Sequence, residues 1–247
     1  MKFANTIRTL ITQGISINKI RRITGAAKST IYHHYKRLKG KKTKALTFKF
    51  KNDNELGEFL GIFAGDGNCF VRDDYHYTVR ICLGAYEVGY RLYMEKQLQK
   101  WFTRKPQVFY TRYKGKPSGY TYWYYSKALY TLLRTYLLWE GKKTYTVRLK
   151  NLTLSKKQFN IGFLRGLIDT DGNFYKPKNR VSYSTVSALL AQQAHKIMTI
   201  NCKVNPHHQI LKKVGKADLH TLTVHGKEAT NLLETVKPNN PLKAPVV

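Results

Sequence analysis

The stretch Phe59-Leu60-Gly61-Ile62-Phe63-Ala64-Gly65-Asp66-Gly67-Asn68 decides the reading of this chain, because it returns one repeat later as Leu164-Arg165-Gly166-Leu167-Ile168-Asp169-Thr170-Asp171-Gly172-Asn173. Each copy is an apolar helical stretch that ends in Asp-Gly-Asn. Gly57, Gly61 and Gly65 stand four residues apart, as do Gly162 and Gly166. That spacing puts them on one helix face, where the missing side chains let two backbones approach closely. An interior glycine costs a helix about 1 kcal/mol relative to alanine. The loss makes sense if the two helices form a tight seam with Asp66 and Asp171 side by side at its end. Two carboxylates held close repel each other unless divalent cations lie between them.

Working outward, the pattern around each copy repeats. Helix 53–65 precedes strands 68–74 and 77–84, helix 86–102, strands 107–114 and 119–126, and helix 127–139. After a bridge at 140–154 come helix 155–170, strands 172–176 and 180–187, helix 188–201, strands 204–213 and 217–225, and helix 226–236. The unit is αββαββα, twice, which predicts an α+β body with repeats at 53–145 and 146–247.

These two copies resemble the LAGLIDADG motif of homing endonucleases. Gly61 to Gly67 and Gly166 to Gly172 match its last seven positions in order. The resemblance implies a four-stranded antiparallel sheet from each repeat. Together the sheets would form a saddle over a long, imperfectly palindromic DNA site. It implies Asp66 and Asp171 as metal ligands, the carbonyls of Gly65 and Thr170 as further ligands, and Mg²⁺ as the ion. It implies cuts in both strands across the minor groove. Ala64 departs from the motif, where Asp169 keeps an earlier acid used for helix packing or capping. Arg165 is unusual in an apolar helix and is expected at the rim.

A basic group near each scissile phosphate would steady charge. Lys142 and Lys143 follow the last helix of the first repeat, and Lys237 and Lys243 that of the second. Strand alternation marks side chains able to reach base edges. In the first repeat these are Thr78, Arg80, Tyr110, Arg112, Lys114, Tyr120 and Tyr122. In the second they are Ser182, Ser184, Gln209, Thr221, Thr223 and His225. About half of the strand tyrosines are expected in the core instead.

Residues 1–40 read as three short helices of helix-turn-helix kind, and 41–52 as a basic linker. The first fifty residues hold thirteen Lys or Arg and no acid. Ile17, Ile20 and Ile23 carry the second helix; Ile31, Tyr35 and Leu38 carry the third. The other face of the third offers Lys28, Ser29, Thr30, Tyr32, His33, Lys36 and Arg37 to DNA. The whole chain of 247 residues carries a net charge of +30, which selects polyanionic partners. The three cysteines have no paired spacing, so neither a disulfide framework nor a zinc site is expected. No run of apolar residues suits a membrane, and the expected setting is intracellular, with DNA. The leading expectation is a monomeric, Mg²⁺-dependent double-strand DNA endonuclease. A non-cutting DNA-binding regulator and an RNA-splicing maturase are the alternatives, since the charge suits RNA equally well.

Overall fold

The computed structural model describes residues 2–39, 45–72, 76–212 and 214–243. The chain divides into two compact units, Met1–Ala45 and Leu46–Val247.

The first unit is three helices, α1 (Lys2–Thr12), α2 (Ile17–Thr24) and α3 (Lys28–Lys39). Ser16 caps α2 by accepting from the Lys19 N–H, and Gly25 ends it at φ 67°. Ile7, Ile11, Ile17, Ile20 and Ile31 make its core. Ile23 and Leu38, expected on the apolar faces, are exposed. With three short helices, only one stripe on each can be covered. All seven of Lys28, Ser29, Thr30, Tyr32, His33, Lys36 and Arg37 are exposed.

The second unit opens earlier than the sequence suggests. Leu46 is buried, and Phe48 and Phe50 pack against Phe59, Trp101 and Phe102. Lys49 N–H donates to Trp101 O and Thr103 N–H to Thr47 O. The expected linker is therefore part of the body from Leu46 on, because its apolar residues alternate along an extended segment. Residues 40–44 lie outside the described ones.

From there the order is α4 (Asp53–Asp66), β1 (Gly67–Arg72), β2 (His76–Gly84), α5 (Val88–Trp101), β3 (Gln107–Tyr113), β4 (Lys116–Tyr125) and α6 (Lys127–Tyr136). The bridge holds a two-stranded ladder, β5 (Leu137–Leu138) with β6 (Arg148–Leu149), around the short helix α7 (Lys143–Thr146). Then come α8 (Lys157–Asp171), β7 (Gly172–Tyr175), β8 (Arg180–Thr185), α9 (Ala188–Asn201), β9 (His207–Leu211), β10 (Leu219–His225) and α10 (Gly226–Val236). The strands form two antiparallel sheets, β1-β2-β4-β3 and β7-β8-β10-β9. Fold class and repeat order follow the sequence reading. The β3–β4 hairpin is tighter than expected: Tyr113 pairs with Lys116, and Lys114 and Gly115 turn the chain at φ 50° and 77°. Two residues at positive φ suit the two-residue hairpin turn.

The glycine seam between α4 and α8 positions everything else. A methyl group on Gly57 would lie 2.1 Å from Phe159 O, and one on Gly61 the same distance from Phe163 O. On the facing helix, one on Gly162 would lie 2.0 Å from Asn54 O and one on Gly166 2.4 Å from Glu58 O. Each obstacle is a backbone atom of the other helix, which no rotamer change can move. Gly61→Ala should therefore lose about 3 kcal/mol of unfolding free energy in urea, despite gaining about 1 kcal/mol of helix propensity. A stability equal to the parent's would show that the seam is looser than this.

Candidate active site at the ends of the paired helices

Asp66 and Asp171 are the last residues of α4 and α8. The seam brings the two ends together, so that a methyl group on Gly65 would meet Asp171 Oδ2 at 2.9 Å. Thr170 stands where the third glycine of α8 would be, and its hydroxyl donates back to Gly166 O and Leu167 O. A cavity of roughly 380 Å³ opens beside Asp66, with Glu87, Thr121 and Thr170 in its wall.

Burial raises the Asp66 carboxyl to about 7, and the charges of Asp171 and Glu87 push the same way. Lys143 and Lys243 oppose the shift. Asp171 is also raised by burial and is held back by the same two lysines. The pair therefore carries more negative charge than its surroundings can solvate.

The lysines reach the site by equivalent routes. From the start of α7, Lys143 Nζ donates to the carbonyls of Phe63, Ala64 and Gly65 at 2.8, 2.6 and 3.1 Å. It thus caps the C-terminus of α4, where the helix dipole favours a cation. Burial lowers its ammonium to about 8, although Asp171 and Asp66 pull upward. Lys243 Nζ donates to Gly172 O, just past the end of α8. Lys142 and Lys237, proposed beside them, are instead exposed: one caps α7 and the other closes α10 at φ 51°. Of each lysine pair, the structure brings one member to the acids.

A buried polar network lies behind the acids, and only part of it was legible in the sequence. Asp169 Oδ1 accepts the N–H groups of Asn239 and Asn240, both at 2.8 Å. Asn240 Nδ2 donates to Asp169 O and to Glu87 Oε1. This clamp fixes the turn that delivers Lys243. Arg165 is not at the rim. Its guanidinium donates to Val236 O, Asn54 Oδ1 and Glu58 Oε2. The Arg165–Glu58 pair is buried and joins α8 to α4. No motif predicts this network, because its partners come from four distant segments.

The sheet faces correct several expected contacts. In the second sheet, Ser182, Ser184, Gln209, Thr221 and Thr223 share the face away from the buried Val181, Tyr183, Leu222 and Val224, and His225 continues it. In the first sheet, Tyr122 is buried and donates to Glu95. Tyr120 shares its face and lies against Arg91, and Tyr110 pairs with Tyr120. Tyr120 and Tyr122 thus occupy the core side, whereas Tyr110, on the same face but on the edge strand, is exposed at 67%, and the open side of β4 carries Thr121, Trp123 and Tyr125. Thr78 points to the open side but is itself buried, while Arg80 is half-buried there. Arg112 and Lys114 lie beyond the irregularity after Thr111, exposed at the hairpin end. Alternation predicted the period correctly, but seven successive aromatic or hydroxyl residues hid which phase was apolar.

The pKa shifts have a signed consequence. Folded Asp66 keeps a proton that the unfolded chain releases near 3.8, so stability falls as pH rises from about 4 to 7. Lys143 releases its proton near 8 when folded and near 10.5 when unfolded, so stability recovers above about 8. Thermal melts without divalent ions should give a minimum between these ranges. Asp66→Asn should make the acid-side decline shallower, the remainder coming from Asp169, which burial also raises to about 7; an unaltered profile would contradict the assignment.

The family model of the LAGLIDADG-like domain matches residues 158–237, the second copy of the repeat. No curated protein matches the chain. Among solved structures, a mesophilic variant of the homing endonuclease I-DmoI is similar at TM-score 0.53 and 14% identity, over 74% of this chain and 95% of that one. I-DmoI in complex with DNA and Mn is similar at 0.51 and 14%, over 75% and 97%. The N-terminal LAGLIDADG domain of DUF199/WhiA is similar at 0.50 and 14%, over 76% and 83%. The second repeat thus matches the LAGLIDADG-like domain, and the body as a whole shares the fold of these solved structures.

Proposed function

We propose that this chain is a sequence-specific double-strand DNA endonuclease of homing type. The observation that carries the reading is the pair Asp66 and Asp171, each an acid at a seam end beside a lysine lodged at a helix terminus. The solved relatives named above include an endonuclease bound to DNA with Mn, and others are bound with Mg or Ca. The net charge of +30 suits a polyanionic backbone. Both acids come from one chain, so no second copy is needed to complete the site.

Two carboxylates of raised pKa, with backbone carbonyls next to them, form the hard-oxygen donor set that divalent cations such as Mg²⁺ take. Asp66 and Asp171 would hold the ion, with the Thr170 carbonyl available beside them. The Gly65 carbonyl, which accepts from Lys143, keeps a second lone pair for the same role. When bound, the ion polarises the phosphate and lowers the pKa of water. The protein's own share is otherwise electrostatic. Lys143 and Lys243 stay fixed by helix-end carbonyls and offer positive charge to a phosphate that gains negative charge during hydrolysis. The buried clamp of Asp169 and Asn240 holds the second lysine in place.

Asp66→Asn and Asp171→Asn should each lower cleavage of a selected duplex by about a hundredfold or more. Binding of that duplex should hold within a few-fold. Undiminished cutting by both variants would refute the catalytic assignment. A regulator that binds without cutting is favoured by one observation, the separate helical unit with seven exposed polar residues on α3. It predicts binding without cleavage for the parent chain as well, in Mg²⁺ and in Mn²⁺.

A further inference from the structure

The open faces of the two sheets occupy equivalent positions but carry different chemistry. Asn68, Arg80, Trp123 and Gln107 pair across the first sheet. The equivalent row in the second is Asn173, Ser182, Thr223 and His207. Nearer the acids, Cys82, Thr121 and Phe109 of the first sheet correspond to Ser184, Thr221 and Gln209 of the second. The second face is mostly hydroxyl, amide and imidazole groups, with Tyr175 and Arg180 at its far end. The first carries an aromatic platform around Arg80, with Arg72 and His76 at its far end.

That platform is built. The Arg80 guanidinium lies 4.3 Å from the Phe70 ring centre and 3.7 Å from that of Trp123. The Phe109 ring packs on Trp123 at 4.7 Å and a tilt of 52°. Phe70, Phe109 and Tyr125 are exposed, at 37%, 43% and 46%. Trp123 belongs to the open face and takes no part in the core. The strip begins two residues after Asp66, so it is continuous with the candidate site.

Building on the reading of the chain as a duplex-DNA reader, we infer that the two halves of its target are read by different means. The second repeat reads its half by hydrogen bonds. The first reads its half through apolar contact with thymine methyl groups, the one apolar feature of the major groove. Stacking on unpaired bases needs free ring faces. Here Arg80 already covers faces of Phe70 and Trp123, and Phe109 covers another part. An intact duplex offers the platform methyl groups at base edges and keeps its base faces stacked inside the helix. The charge of the chain draws the duplex in, and the platform then selects it.

The test uses the full chain and a randomised duplex library to select a target. That target is then made with deoxyuridine for thymidine, one half at a time, which removes only the methyl groups. Affinity should fall by about fourfold for each contacted methyl in one half, the factor for one buried CH₂ group, and hardly at all in the other. The variants Phe109→Gln and Trp123→Thr install the residues of the second repeat, and either should abolish the sensitivity of that half. Circular dichroism melts check that they fold, and unchanged selectivity in the opposite half confirms it. Equal affinity for both forms of the duplex would overturn the inference while leaving the DNA-binding reading intact. So would a uridine effect that survives both variants. Selection of single strands or RNA in a Trp123-dependent way would replace methyl contact by stacking. Failure to enrich any duplex would bring down the functional reading and this inference together.

Discussion

The close approach of two helix backbones is the constraint on which the rest of this structure depends. Helices α4 and α8 meet through Gly57, Gly61, Gly162 and Gly166, where any side chain would strike a carbonyl or amide of the partner. Such contact forgoes the usual interdigitation of large side chains and replaces it with backbone proximity. The compensation lies on the outer faces of the same helices. Phe59, Leu60, Phe63, Phe163, Leu164 and Leu167 are fully buried in one core that spans both sheets. Each helix thus serves two surfaces, a bare one toward its partner and a large apolar one toward its sheet.

The seam also creates an electrostatic difficulty, and the site is how the chain uses it. Parallel helix ends bring two carboxylates and two negative dipole ends to one place. Burial then raises the acids further. Lys143 and Lys243 answer this charge from two different segments, each bonded to carbonyls at or just past a motif helix. Two lysines do not discharge the pair, as the raised Asp66 shows. What remains is affinity for an added cation or for the proton that stands in its place.

Behind the acids, the polar core holds distant segments in register. The Arg165–Glu58 pair crosses the seam, and Asp169 grips the backbone of the tail. A buried pair of this kind adds little net stability over apolar packing but penalises any arrangement that leaves one charge alone. It therefore specifies how the repeats meet. Asp169 and Ala64 occupy equivalent motif positions with unlike residues, which matches the asymmetry of what lies beyond each helix: one has a tail to hold and the other does not.

The chain's sequence by itself determined the repeat, the α+β class, the seam and the two acids. All of these are local: the spacing of glycines, the run of apolar residues and the terminal Asp-Gly recur within a few residues of each other. The sequence also identified Ile17, Ile20 and Ile31 of the front unit's core, although it placed the exposed Ile23 and Leu38 with them. Tertiary structure decided the rest. It chose Lys143 over Lys142 and Lys243 over Lys237, because delivery depends on a short helix and a clamped turn. It placed Tyr120 and Tyr122 inside and Trp123 outside, because tyrosine suits either face of a strand and only the packed helices settle the phase. It drew Leu46–Asn52 into the body and Arg165 into the interior, because their partners lie dozens of residues away. Period is written in neighbouring residues, whereas phase, delivery and pairing depend on what the chain brings back from afar.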